Sequence, residues 1–529
     1  VRIGFDHAVP VGGWAGALGL VRSRTTAHPA QHPSGFSVSP GSTNTMFTLI
    51  PSEDFAAGEV ITAFASSAIV DGRGAHLDRS HVMQFQASVT NTGAAGALAD
   101  GPAWFGNHKD IALGDFDRDG LLDVMATGDT SRVYFNAGGA WLPGDALTIN
   151  QPGDPIYLRS THHGAAVGDV NGDGILDILL LEENVLGWNG SAAEAPRKRN
   201  QLWFGDAVGG FTEAFERRAG ARYQALRSSY VAAQTAGNWA AAAAAGDRIQ
   251  ELVLAETPFL TPSAGAHVAG SRAATFADFD GDGDLDAVIA EGEHFIATGE
   301  RGDSFVTLWH NNGVGRFTRA QSVLYKPGTD SVAVGDVDGD GDLDVLVGSS
   351  KRDSFLLVNN GGGTFLVGQN LSLYAKSAAL ADIDGDGDVD AVLASAADPV
   401  WLNNGAGTFT AAMTGVPDTE AGFDRASITL GDMDADGDLD LVEGRGCGRA
   451  FFPDGPSSCN GRGDSVVVWM NDGQGQFTAR PGAGQRATHR VVTGDLDGDG
   501  DLDVMLSHSG GMTGLLNQRA PVALSLIHI

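Results

Sequence analysis

The chain has 529 residues, enough for several domains or for one large repeat domain with a smaller one beside it. Its 33 Lys and Arg stand against 66 Asp and Glu, a formal charge of −33, which argues against nucleic acid, a polyanion bound through basic side chains, as a partner. No apolar run reaches the roughly 18 residues that a membrane-spanning helix needs.

Residues 1–90 carry no internal repeat. "IGFDHAVP", "MFTLIPSEDFAAGEVITAFASSAIVD" and "VMQFQASV" alternate apolar and polar residues as half-buried strands do. This stretch resembles bacterial Ig-like domains, with Phe5, Pro51, Gly58, Asp71, Gly74 and Phe85 at the family's typical positions. The resemblance implies a small β-sandwich serving as spacer or stalk. The chain opens on Val1 in mid-strand, so a preceding segment is expected. Residues 91–104, "NTGAAGALADGPAW", read as a linker that ends at Trp104.

From about residue 105 a nine-residue acidic pattern returns seven times. Its first copy offers Asp115, Asp117, Asp119 and Asp123, with Leu121 at position 7; its second offers Asp169, Asn171, Asp173 and Asp177, with Ile175 at position 7. The third is Asp278, Asp280, Asp282, Asp284 and Asp286, and the fourth Asp336, Asp338, Asp340, Asp342 and Asp344. Then come Asp382, Asp384, Asp386, Asp388 and Asp390, next Asp432, Asp434, Asp436, Asp438 and Asp440, and last Asp495, Asp497, Asp499, Asp501 and Asp503. Carboxylates at positions 1, 3 and 5 converge when the chain curls, and Gly at position 6 permits the turn. Position 7 then offers its backbone carbonyl and position 9 completes the shell. That all-oxygen set suits Ca²⁺, a hard cation, and carboxylates this close repel one another unless a cation lies between them. About seven Ca²⁺ ions are expected, which would cancel about 14 of the negative charges.

These are not EF-hand loops. Position 12 holds Ala126, Leu180, Ile289, Val347, Leu393 and Leu506 where a bidentate Glu is needed, and Glu443 is a coincidence. The flanks, such as "SVAVGD" and "LDVLVG", are short β-branched strands rather than helices. After each loop and its strand comes a hairpin, as in "LWHNNGVGRF" from Leu308 and "VWLNNGAGTF" from Val400. Each unit is therefore about four short strands, the pattern of a β-propeller blade. Between Asp169 and Asp278, "AAAAAGDRIQELVLAE" keeps the ends of the pattern without its metal-binding middle. It is expected to form a metal-free blade near 237–265, after a helical insert at 213–236. The expected fold is all-β: a propeller of seven blades, with eight as the alternative, after the Ig-like sandwich. The closing "ALSLIHI" breaks the repeat and is expected to be a truncated or foreign end.

The "GDxDGDGxxD" loops and "NxGxGxF" hairpins resemble the FG-GAP/VCBS repeats of secreted bacterial proteins and the propeller of integrin α subunits, over residues 105 to about 518. The resemblance implies a calcium-stabilised propeller in extracellular adhesion or glycan-related proteins.

Cys447 and Cys459 suit one local disulfide, which fits an oxidising compartment. Two RGDS tetrapeptides, Arg301–Ser304 and Arg462–Ser465, share one repeat position and read as surface turns rather than integrin ligands. Trp203, Trp309, Trp401 and Trp469 also share a register and read as core. The residues entering each loop strand include His108, Lys109, His162, His163, Arg272, Lys376, Arg425, His489 and Arg490, with Asp330 the acidic exception. They are expected to ring the face opposite the metal loops and to meet an anionic ligand, most simply an acidic polysaccharide. The expected function is therefore recognition or adhesion of an extracellular glycan or protein by a monomeric, calcium-bearing propeller at the bacterial surface or in the secretome. A lyase-like polysaccharide enzyme and a structural stalk are the alternatives.

Overall fold

The apolar run after each acidic loop becomes a strand buried on both faces. Asp123–Gly128, Asp177–Glu182, Asp344–Ser349 and Asp503–His508 have no exposed residue, which explains why these stretches are continuously apolar rather than alternating. In a computed structural model of the protein, residues 98–106, 108–128, 130–138, 140–147, 162–182, 200–242, 244, 245, 248, 252, 270–291, 304–325, 328–395, 399–412, 414–417, 423–447, 466–483, 487–508 and 510–517 are described, together with strand residues 2–4, 18–22, 36–40, 46–51, 60–65, 81–89 and 524–528.

Seven antiparallel sheets of four strands follow one another. Their first strands are His108–Gly114, His162–Gly168, Ser271–Ala277, Thr329–Gly335, Ala378–Ala381, Phe423–Gly431 and Thr488–Gly494. Each first strand neighbours that of the next sheet, and the last neighbours the first, so the seven close into a ring. This is a seven-blade propeller. The first six blades run outward in chain order, while the seventh takes its fourth strand from Leu98–Phe105, which pairs with Gly511–Asn517.

Two expectations are corrected here. Residues 98–104 belong to the closing strand and not to a linker. The segment expected as a metal-free blade contributes no described strand: residues 239–242, 244, 245, 248 and 252 are helical. Its alanine run favours the helix, Ala being the strongest helix former. The helical insert itself spans Ala214–Thr235, and Arg218 ties it to the third blade by donating to the Gly315 carbonyl at 2.5 Å.

The core lies between blades. Ala277, Phe279, Val288 and Leu308 of the third blade pack with Val345, Val347, Phe355 and Phe365 of the fourth. Position 2 of every acidic loop plugs into such a layer: Phe116, Val170, Phe279, Val337, Ile383, Met433 and Leu496 are all buried. Each loop is thus nailed to the core by its second residue, and burying one such side chain is worth roughly 1.5–3 kcal/mol.

Upstream, Arg2–Gly4, Met46–Pro51 and Phe36–Pro40 form one antiparallel sheet. Leu18–Arg22, Val60–Ala65 and His81–Val89 form a second, to which Leu524–His528 adds an edge.

Candidate metal centres and the opposite face

The third loop shows how nine residues make a cation cradle. Asp278 Oδ1 accepts the backbone N–H groups of Gly281 (2.8 Å) and Asp282 (3.1 Å), and its Oδ2 accepts that of Gly283 (3.0 Å). Asp282 Oδ1 in turn accepts the N–H of Asp284 at 2.9 Å. Gly281 and Gly283 sit at φ 75° and 93°, in the left-handed region, which lets the chain wrap around its own first carboxylate. Arg118 and Ala435 occupy the position 4 slot at φ 66° and 56° without a glycine's freedom.

Position 9 has a role that the spacing alone did not reveal. Asp286 Oδ2 accepts the N–H of Phe279 (3.2 Å) while its Oδ1 accepts that of Asn311 (2.8 Å), clamping loop to hairpin. The same pair of bonds recurs on Asp123, Asp177, Asp344, Asp390, Asp440 and Asp503. The hairpin asparagine is the second residue that spacing missed. Asn311 Nδ2 donates to Leu285 O within its own loop and to Val170 O of the preceding blade. Asn136, Asn359, Asn403, Asn471 and Asn517 repeat this latch across five further blade boundaries. The second blade has Gly205 there, so its boundary with the first lacks the latch. At position 7, the side chains of Asp284, Asp342, Asp388 and Asp438 lie where a Cβ on Gly313, Gly361, Gly405 or Gly473 would stand. That contact accounts for the pairing of these aspartates with glycine in the turn. Leu121 and Ile175 hold the same position through N–H bonds to Asp119 (2.8 Å) and Asp173 (3.1 Å).

The carboxylates converge as the spacing implied. Candidate ligand oxygens lie within 4.8 Å of one another in the sets Asp115/Asp117/Asp123, Asp278/Asp280/Asp282, Asp336/Asp338/Asp344 and Asp382/Asp384/Asp390. Burial, added to by neighbouring carboxylates, pushes the position 9 groups far up: Asp123 and Asp344 to about 7, Asp177, Asp286 and Asp503 to about 8, Asp440 to about 9. Burial also takes Asp115 to about 6 and Asp278 to about 7. Asp384 Oδ1 is buried without a hydrogen-bond partner. Buried, crowded oxygens of this kind attract a proton or a cation, and the oxygen-only donor set fits a hard divalent ion. The second loop differs: Asn171 Nδ2 donates to Asp177 Oδ1 (3.2 Å) and Oδ2 (3.0 Å), so an amide faces the carboxylate.

At the far end of the first strands, roughly 20 Å from the loops, the expected basic ring splits in two. Six of the seven first strands carry a register shift at their start. The residue seven before the loop Asp is buried in every blade: His108, His162, Ser271, Thr329, Ala375, Arg425 and Thr488. His108, His162 and Arg425 are therefore structural and do not belong to a ligand face. Arg425 lies against Glu443 (3.6 Å) and donates to the carbonyls of Ser395 and Pro417, and Glu443 also accepts from Arg445 and Trp469. His162 Nδ1 meets Ser131 Oγ at 2.8 Å and its Nε2 faces Glu182 at 3.7 Å, while burial lowers its pKa to about 4. This Ser–His–Glu chain is closed to a substrate, since the three are 1%, 1% and 6% exposed.

One residue later the side chains reach the surface. Lys109 and His163 are half-buried, and Arg272, Lys376 and His489 are exposed, with Asp330 and Ala426 completing the register. Arg272 Nη1 meets His163 Nε2 at 2.6 Å across a blade boundary. Arg490 pairs with Asp110 (3.3 Å), and Asp110 also accepts the Ala165 N–H, joining the seventh, first and second blades.

The tryptophan reading holds for Trp203, Trp309 and Trp469, which are buried. Cys459 and all but Ser304 of the two RGDS segments lie outside the described residues.

The FG-GAP-like repeat family matches residues 115–180, 278–347, 336–393, 382–443 and 457–506, more than half of the chain. The chain belongs to the FG-GAP-like repeat family. The matched segments of this FG-GAP-like protein begin at or before an acidic loop and end inside a loop strand. No curated protein matches it. Among solved structures it is similar to BBS1N in complex with ARL6DN, in crystals soaked with lead (TM-score 0.44, 7% identity) and with mercury (TM-score 0.43, 8% identity). Each of these alignments covers 81% of this chain and 99% of the other. No helix among the described residues is long and apolar enough to cross a membrane.

Proposed function

We propose that this propeller is a calcium-stabilised recognition module that binds an anionic ligand, an acidic polysaccharide first of all, on the face opposite its metal loops. The observation that carries the reading is the register shared by Lys109, His163, Arg272, Lys376 and His489 at the mouth of the strand ring. Calcium is supported by the all-carboxylate donor sets, such as Asp115/Asp117/Asp123 and Asp336/Asp338/Asp344, and by the crowding of buried carboxylates in the loops. Sites of extracellular affinity would each add roughly 0.4–1.5 kcal/mol at millimolar calcium. Summed over seven loops, that is comparable with the whole stability of an ordinary domain. Such dependence would suit a protein outside the cell, secreted or on a bacterial surface. The two upstream sheets would then serve as an Ig-like spacer.

The test is retention of the calcium-loaded protein on a panel of acidic and neutral polysaccharides, with new chain ends followed in parallel. Retention on acidic chains, lost on replacing Lys109, Arg272 and Lys376 together by Gln, is the expected result. Retention unchanged by that triple replacement removes the ring as the binding face. Chain cleavage would make the protein a polysaccharide-active enzyme instead.

A further inference from the structure

Six blades place an apolar residue just before the hairpin's latch position: Phe135, Phe204, Val358, Leu402, Met470 and Leu516. The third blade places His310 there. Its Nδ1 lies 3.2 Å from Asp280 Oδ2, and ligand atoms of Asp280, Asp286 and His310 all lie within 4.8 Å of one another. The next blade roofs the ring: a Cβ on Gly363 would run into His310 Nε2 and stand 3.0 Å from Asp280 Cβ. Nε2 is buried there without a hydrogen-bond partner, so Nδ1 is the nitrogen turned toward the carboxylates. With its proton on Nδ1 the neutral imidazole would donate to Asp280 Oδ2, whereas with its lone pair there two acceptors would face each other at 3.2 Å and a cation would have to lie between them. What lies between the two atoms is therefore either the imidazole's own Nδ1 proton or a metal ion.

We propose that it is a metal, and that the third loop is a mixed carboxylate–imidazole site for a first-row divalent transition ion, held by Asp280, Asp286 and His310. The inference rests on reading the loops as cation sites but assigns this one a different ion. Calcium takes oxygen donors, whereas an imidazole nitrogen shifts preference toward ions between Mn²⁺ and Zn²⁺. The other six loops have no nitrogen donor in this slot and remain hard-cation sites. The single imidazole makes one blade of seven chemically distinct.

The experiment adds Co²⁺ to the intact protein in excess calcium and removes unbound ion by gel filtration. One equivalent of cobalt per chain, with the visible absorption of a nitrogen-ligated ion, is the expected result. His310→Leu, which installs the side chain of Leu402 in this slot, should weaken cobalt binding at least tenfold while leaving the melting midpoint in calcium unchanged. Asp280→Asn should also weaken cobalt retention. Absence of cobalt retention in the parent protein, or retention undiminished in His310→Leu, overturns the proposal and leaves a hydrogen bond between His310 Nδ1 and Asp280. Equilibrium dialysis against calcium alone judges the calcium reading separately, since a chain that binds cobalt but no calcium fails only that reading.

Discussion

Replacing Asn359 by Ala isolates the latch between the third and fourth blades. The side chain is 3% exposed, and its Nδ2 donates to Phe279 O across the boundary (2.8 Å) and to Leu343 O in its own loop (3.2 Å). The backbone bond from Asn359 N–H to Asp344 (2.7 Å) survives the change. Two buried carbonyls then lose a donor that water cannot readily replace. At about 1–2 kcal/mol for each, the expected loss is about 2–4 kcal/mol. The assay is urea unfolding at fixed calcium, where the midpoint should fall with little change in slope. Asn360→Ala, at the neighbouring exposed position, is the control and should leave the midpoint in place. A loss below about 0.5 kcal/mol for Asn359→Ala, or one equal to the control's, would refute the latch.

Three further outcomes follow from the same geometry. Arg118 is exposed at φ 66°, so Arg118→Gly should stabilise by about 0.5–1 kcal/mol in thermal unfolding; no gain would show that the loop carries no strain there. Burial raises Asp177, Asp286 and Asp503 to about 8 and Asp440 to about 9. A carboxyl raised in the folded state adds stability below its unfolded pKa and loses it as pH climbs through the folded one, so chelated protein should weaken between about pH 4 and pH 9. Calcium competes with those protons, and the gap between calcium-loaded and chelated melting midpoints should widen from about pH 5 to about pH 8.5; equal gaps would sink this account. Arg425→Ala leaves Glu443 buried beside a lost partner and should cost about 3–5 kcal/mol in unfolding assays, while Lys376→Ala should leave the midpoint in place. Equal effects of the two would contradict the division of the ring.

The acidic loops, the hairpins and the blade architecture were legible because each depends on local spacing. Asp278, Asp280 and Asp282 meet because they are two apart, and no distant residue is needed. What spacing could not show was long-range partnership. Asn311 reads as a turn residue, and its reach to Val170 O in another blade appears only once the ring is closed. The position 9 aspartates looked like ligands alone because one of their two backbone partners, the hairpin residue such as Asn311, stands outside the loop. The basic pairs were misread for a finer reason. Side chains alternate along a strand, so a one-residue register difference exchanges buried for exposed. His108 and Lys109 therefore part company, as do Arg425 and Ala426. Residues 98–104 have linker composition, with Gly101 and Pro102, yet they pair with a strand at the other end of the repeat array.

That distant pairing sets a timetable for biosynthesis. Leu98–Phe105 leaves the ribosome before its partner Gly511–Asn517, which follows roughly 20–80 s later at ordinary synthesis rates. Through that interval the strand is an unpaired edge, open to any neighbouring chain that offers one of its own. Asp100 and Pro102 lie within it, a charge and a missing N–H donor of the kind that discourages wrong pairing between sheets. Asp100 and Pro102 are thus suited to keeping the nascent chain from aggregating until its last blade arrives.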